Sequence, residues 1–281
     1  MIYICRERNS KDNIITKSGR SLDFFYCTFI GRLLLKIVIS KPISDLGGLY
    51  MNSRFSKIKI NRFIDKNDIN TFEYDDKKYK SYNDFFTRKV ISCKRPIMSN
   101  KNTLISPCDG KVLAYTINDD LTLKIKGSYY SVDTLVNESI MDEYRGGTAL
   151  VFRLSTDNYH RYCYIDSGTK GKNYHIKGVF HTVQPISLKN YNFFKTNSRE
   201  YTILNTNNFD KVIQVEVGAL MVGRIKNNHE EYEYKKGVIT LDNDILENSK
   251  ENIETIVKYG EKIGKNTFIT KVKSTIKFIV K

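Results

Sequence analysis

The 281-residue sequence has no tryptophan, only four prolines and 16 glycines, and no stretch of Pro, Gly or Ser long enough for a flexible linker. Its five cysteines (Cys5, Cys27, Cys93, Cys108, Cys163) are odd in number and include no C-x-x-C pair. That pattern argues against a disulfide framework or a zinc site and fits reduced thiols in a cytosolic setting. No charge-free apolar run approaches the ~20 residues that a membrane-spanning helix requires. Met1 to Arg8 is too poor in apolar residues and too acidic for a secretory signal. Acid is in deficit: 31 Asp+Glu against 46 Lys+Arg leave a formal charge of +15. An excess of that size favours an anionic partner, although Lys, Asn and Ile abound along the whole chain and inflate the charge without building a patch. No zinc-finger, RRM or helix-turn-helix signature is present, so nucleic acid is not expected. What is there is ordinary for a folded protein, 40 % hydrophobic and 27 % charged, with material for one large domain or a main domain with an attachment.

The chain changes texture along its length. Phe24 to Ile39 is rich in Leu and Ile, with Arg32 and Lys36 four apart on one face of a helix. A core helix and a helix lying in a membrane interface, cations at the headgroups, fit this segment equally. A second basic helical stretch runs from Arg54 to Ile64, and a polar connector from Asp65 to Lys80 marks the boundary between a helical, basic region (1–80) and the rest (81–281). From about residue 100, β-prone runs recur between glycines: 104–105, 112–115, 121–125, 150–152, 162–165, 175–183, 201–204, 212–217 and 238–241. The fold class is α+β, a helical N-terminal piece before a β-rich body.

Three stretches carry chemistry. Asn83-Asp84-Phe85-Phe86-Thr87-Arg88-Lys89 is followed by Lys94-Arg95-Pro96; then come Ser106-Pro107-Cys108-Asp109-Gly110-Lys111 and Asn158-Tyr159-His160-Arg161-Tyr162-Cys163. Taken singly, each has a plain reading: Asp109-Gly110 is a common turn pair, His160 an ordinary histidine, and Cys108 a small buried side chain. His175 and His181 sit six apart in a strand-like run and lack a third ligand, so no metal is assigned; His229 lies among glutamates and reads as solvated. The basic cluster Arg88, Lys89, Lys94 and Arg95 suits lipid phosphates or a solvated loop.

Together and in this order, the segments resemble the phosphatidylserine decarboxylases, with their F-F-T-R-K, S-P-x-D-G-K and Y-H-R segments. The likeness extends through Asn197-Ser198-Arg199-Glu200, Val217-Gly218-Ala219-Leu220-Met221-Val222-Gly223 and Gly260-Glu261-Lys262-Ile263-Gly264. It implies a fold with a membrane-facing helical segment, an activity (phosphatidylserine to phosphatidylethanolamine and CO2), an anionic-phospholipid partner at the cytoplasmic face, a peripheral-membrane location, and an oligomer as in the family. Decarboxylation leaves a carbanion that needs an electron sink, in this family a pyruvoyl group made from a serine of the chain itself. The resemblance assigns an orienting carboxylate to Asp109 and substrate chemistry to His160. It assigns lipid contact to Arg32, Lys36, Arg88, Lys89 and Arg95.

Two family features are missing. The second histidine of Y-H-R-x-H, the base, is Cys163, and a thiol is a poor stand-in for a neutral imidazole. No Gly-Ser-Thr triplet, the source of the pyruvoyl group, occurs anywhere; set beside the family pattern, the chain lacks a block of roughly two dozen residues after Gly223. Ser274-Thr275 echoes the triplet, but Lys273 replaces its glycine. The expectation is a degenerate chain without its pyruvoyl cofactor. The alternatives are an active enzyme using Ser274 and a non-catalytic binder of anionic membrane.

Overall fold

The computed structural model describes residues 4–8, 13–17, 20–91, 93–97, 104–117, 122–125, 128–131, 133–136, 143–182, 196–220, 222–223, 225, 232–234, 255–257 and 276–280. A hairpin of β1 (Ile4–Arg8) and β2 (Asn13–Lys17) precedes α1 (Arg20–Cys27), α2 (Phe29–Val38) and α3 (Lys41–Asn52). A 3-10 turn at Arg54–Ile58, α4 (Lys59–Asn67) and α5 (Tyr82–Phe86) complete the helical part.

The apolar run Phe24 to Ile39 is not one helix. Thr28 breaks it: its hydroxyl donates to the Phe24 carbonyl at 2.8 Å and accepts from the Gly31 N–H at 3.0 Å, ending α1 and capping α2. Gly31 is required there, because a Cβ would lie 2.0 Å from the Phe24 carbonyl oxygen. One side of α2 turns inward, where Leu35 and the following Ile39 join Tyr26 and Val179 in a small core. The other side is apolar too, and it faces out: Phe29, Ile30, Leu33, Leu34 and Ile37 are 43–78 % exposed. At 100° per residue these five span one arc, and the exposed Arg32 and Lys36 border it. α3 begins with Pro42 in its first turn, buries none of its residues, and exposes Ile43, Leu46 and Leu49. One stripe of α2 therefore lies in a core, as the core-helix reading expects, and another is exposed to solvent. Among the described residues, no helix is long and apolar enough to cross a membrane.

The body is an eight-stranded sheet built from β3 (Gly110–Thr116), β6 (Thr148–Arg153), β7 (Gly168–Ile176), β8 (Arg199–Thr206), β9 (Lys211–Val217), β10 (Tyr232–Tyr234), β11 (Thr255–Val257) and β12 (Ile276–Val280). Beside it stand the hairpin β4 (Thr122–Ile125) and β5 (Ser128–Ser131) and the turn-length helix α6 (Asp133–Val136). The sheet order is β10-β7-β8-β9-β12-β6-β3-β11, antiparallel except that β12 runs parallel to both of its neighbours. Alternation sorts the side chains into two cores. Leu113, Tyr115, Ala149, Val151, Ile213 and Val215 face one way, and Val112, Ala114, Leu150, Phe152, Leu204 and Val212 the other. Burial on both faces explains why the strands read as continuous apolar runs.

Three sequence readings change. Residues 162–165 form no strand, and the 175–183 run stops at Ile176. The C-terminal segment, absent from the β-prone runs of the sequence, is β12, in the interior of the sheet. The run at 238–241, His229 and the Gly260–Gly264 segment lie outside the described residues.

Candidate active site

The site forms where β3 begins beside the end of β6. Gly110 has φ +140, and a Cβ there would meet the Arg153 carbonyl oxygen at 2.6 Å. Only glycine allows that approach, and it sets Asp109 at the end of the sheet. Asp109 is 6 % exposed. Its Oδ1 accepts from Arg95 Nη1 at 2.6 Å and its Oδ2 from the Tyr159 N–H at 3.1 Å. Arg95 also grips Glu73 through Nε (2.8 Å) and Nη2 (2.6 Å), and Nη2 reaches the Tyr74 hydroxyl at 3.3 Å. Burial alone would lower the Arg95 pKa, but the two carboxylates outweigh it and push the guanidinium up.

The segment after β6 runs beside the Asp109 turn. The Cys163 N–H donates to the Pro107 carbonyl at 2.8 Å, so residues 106–109 and 159–163 adjoin. His160 stacks on Phe86 at 4.0 Å between centroids, and its Nε2 lies 3.1 Å from the Ser155 carbonyl. Burial, aided by the nearby Arg88 charge and opposed by the Ser155 carbonyl, pushes the imidazole down to about 4. His160 is thus neutral at physiological pH and available to hold or hand over a proton. A stability consequence follows. The unfolded histidine binds its proton near pH 6.5 and the folded one only near 4, so the protein loses stability as pH falls between those values. The loss is up to about 3 kcal/mol, lessened by the solvent that still reaches the ring. Urea midpoints at pH 7 and pH 4.5 measure it, and the His160→Gln variant is expected to lose that part of the pH slope.

The two cysteines lie side by side with the Asp109 turn. The Cys108 thiol is fully buried, and burial together with the adjacent Asp109 charge pushes its pKa well up. Cys163 is half-buried, packs on the Cys108 core, and points its Sγ at the Ser106 carbonyl 3.9 Å away. Ser106 is close to Asp109 in the chain, but its hydroxyl donates to the Cys108 carbonyl at 2.5 Å.

The structure brings Asp109, His160, Cys163, Arg88 and Arg95 together and leaves Arg32, Lys36 and Lys89 exposed elsewhere on the surface. Two of the cations named for lipid contact are buried. Arg88 is 0 % exposed and the Arg95 side chain 8 %; both turn inward onto Tyr74, Arg95 between two carboxylates and Arg88 with Nη2 on the Asp157 and Asn158 carbonyls. Ser274 lies outside the described residues. Glu73, Tyr74 and Tyr159 are participants the sequence reading missed. Glu73 and Tyr74 sit in the polar connector, where no local pattern announces a partner at Arg95; Tyr159 was visible in the Tyr-His-Arg triplet. His175 and His181 do not share a site. His175 lies on β7 with Nδ1 3.7 Å from Glu200, and His181 is buried with Nδ1 3.1 Å from the Tyr26 hydroxyl.

The chain is similar to known proteins over most of its length. A family model described as phosphatidylserine decarboxylase matches residues 82–265. A phosphatidylserine decarboxylase proenzyme 2 of Clostridium acetobutylicum is 46 % identical over 270 residues, covering 88 % of this chain and 92 % of the relative. A phosphatidylserine decarboxylase proenzyme of Clostridium botulinum is 38 % identical over 292 residues (94 % and 99 %), and one of Clostridium beijerinckii 35 % over 286 residues (92 % and 97 %). With a match over most of its length and its Asp-Gly turn and Tyr-His-Arg segment side by side, the chain belongs to the phosphatidylserine decarboxylase family.

Proposed function

We propose that this chain is a member of the family that no longer forms its pyruvoyl group, and that it is a catalytically silent protein seated on anionic membrane at the cytoplasmic face. The observation that carries this reading is the lack of any Gly-Ser-Thr triplet in the sequence, joined to Cys163 where the family has its base. Without a ketoacyl terminus the scaffold has no sink for the electron pair left by a departing carboxylate. The alignment to the C. acetobutylicum relative supports a missing block: its 270 positions take up 88 % of 281 residues here, so about two dozen positions have no residue in this chain.

The register of β12 weighs against the Ser274 alternative. Ile276 pairs with Thr148, and the strand runs from there toward Phe152, so it starts at the end of β6 remote from Arg153 and Asp109. Five residues of strand separate the two ends, about 17 Å at 3.3 Å per residue. The membrane part of the reading is supported by the exposed apolar stripe of α2 and α3 with its bordering cations.

The expected result for the purified chain is one full-length band on a denaturing gel, one intact mass, and no CO2 from carboxyl-labelled phosphatidylserine in mixed micelles. Two fragments, one bearing a pyruvoyl end, together with CO2 release would falsify the proposal. A short C-terminal fragment beginning at position 274 would establish the Ser274 alternative in its place.

A further inference from the structure

We propose that Cys108 and Cys163 are a redox pair, converted by peroxide to a disulfide that ties the Asp109 turn to the His160 segment. The inference goes beyond the reading above and holds whether or not the chain forms a pyruvoyl group.

The backbone brings the two residues together. The Cys163 N–H donates to the Pro107 carbonyl at 2.8 Å, and Cys108 is the next residue of that turn. A hydrogen bond of that length sets the Cα atoms of Cys108 and Cys163 about 5–6.5 Å apart, within the roughly 4.4–6.8 Å over which a disulfide closes. Cys108 belongs to the core of Val112, Phe152 and Ile165, and Cys163 packs against that same core. The Cys108 thiol is pushed well up by burial first, then by the Asp109 charge and by Cys163, so the two sulfurs lie within electrostatic reach of each other. Of the other described cysteines, Cys27 packs against the helical core and Cys93 is exposed, and neither shares these surroundings.

The two thiols differ in the way the chemistry requires. Cys108 is 0 % exposed and held protonated, which makes it inert toward peroxide, whereas Cys163 is half-buried and reached by solvent. Peroxide therefore meets Cys163 first. Its sulfur attacks the O–O bond, an S–OH bond forms, and the thiol proton leaves with the other oxygen as water. The Cys108 sulfur then displaces that hydroxyl: the S–S bond forms, the S–O bond breaks, and the hydroxyl departs as water with the Cys108 proton. In sum, two thiols give up two electrons and two protons, and one hydrogen peroxide becomes two waters. Cys108 needs no opening to solvent, because its reaction partner is the neighbouring sulfur. Its weak acidity makes the second step the slower one, so a sulfenic acid on Cys163 precedes the disulfide.

The test treats the reduced, intact chain with one equivalent of hydrogen peroxide, blocks the remaining thiols with iodoacetamide and maps the peptides by mass spectrometry. One linked peptide is expected, joining Cys108 to Cys163 within a single chain, two hydrogens lighter than its reduced halves and lost on adding dithiothreitol. Cys108→Ala is expected to leave Cys163 as a sulfenic acid that dimedone traps. Cys163→Ala is expected to leave Cys108 unoxidised while the exposed Cys93 still reacts. No linked peptide under conditions that oxidise Cys93 overturns the pair. So does a link from either residue to Cys5, Cys27, Cys93 or a second copy of the chain, or oxidation of Cys108 in the Cys163→Ala variant. If Cys108→Ala does not fold, the wild-type map decides alone. Chain cleavage and CO2 release play no part in these readings, so the redox pair and the proposed inactivity fail separately.

Discussion

Replacing Arg95 by methionine is expected to destabilise the protein by about 3–5 kcal/mol, the range for removing one partner of a buried ion pair. The side chain is 8 % exposed and so is Asp109, while Glu73 is 22 % exposed. Methionine fills most of the volume but removes the guanidinium that Asp109 and Glu73 share. The larger part of the effect is therefore the cost of keeping two little-exposed acids charged without their shared cation, and not the loss of attraction. Lysine at this position is expected to recover little, because one ammonium cannot span Asp109, Glu73 and the Tyr74 hydroxyl as the planar fork does. Asp109→Asn is the milder change: it keeps an acceptor for Tyr159 and leaves Arg95 one carboxylate. In the Arg95→Met background, Asp109→Asn should be less harmful than in the wild type, and a double-mutant cycle reads that coupling directly. Denaturant midpoints measure all four proteins. A loss below about 1 kcal/mol for Arg95→Met would mean that the pair behaves like a solvated surface bridge and does not hold the site together.

That result bears on what could be read before the fold was known. The Asp109-Gly110 turn and the Tyr-His-Arg segment were legible because each is local, a few consecutive residues whose types and order carry the chemistry. The β-rich body was legible for a similar reason, since strands buried on both faces leave short unbroken apolar runs such as Ala149 to Phe152. The arginines were not legible. A cluster such as Arg88, Lys89, Lys94, Arg95 has the composition of a solvated loop, and only the fold brings Glu73 from 22 residues upstream and Asp109 from 14 residues downstream to one of its members. The break at Thr28 was hidden by the apolar residues on both sides of it; a threonine within a helical run marks a cap only when the chain needs to turn there. The segment 162–165 has strand-forming residues but forms no strand; its Cys163 N–H donates to the Pro107 carbonyl beside the Asp109 turn. Its tertiary role overrides its propensity. The interior position of β12 could not be read from a basic stretch at the end of the sequence, because parallel pairing with β6 and β9 is set by strands far away in the chain.

The apolar stripe of α2 carries the second large effect. Changing Phe29, Leu33 and Ile37 together to serine is expected to weaken binding to vesicles of phosphatidylcholine and phosphatidylserine by at least about 100-fold, with no loss of folding. The three are 78 %, 52 % and 58 % exposed and lie four apart, on the arc facing away from Leu35. Burying such a side chain is worth about 1.5–3 kcal/mol when complete, so even partial immersion of three sums to several kcal/mol. The charges at its border are worth less. Each lysine or arginine near an anionic surface contributes about 1 kcal/mol, so Arg32→Gln with Lys36→Gln should weaken binding by only about tenfold to thirtyfold, an effect that fades at high salt. The order of the two effects distinguishes a helix that enters the interface from one that is held above it by charge. Co-sedimentation at 0.05 and 0.5 M salt, with and without phosphatidylserine, separates them. Persistence of binding in the triple serine variant, with its loss in the double glutamine variant, would assign the seat to electrostatics and leave the stripe of α2 free for another apolar partner.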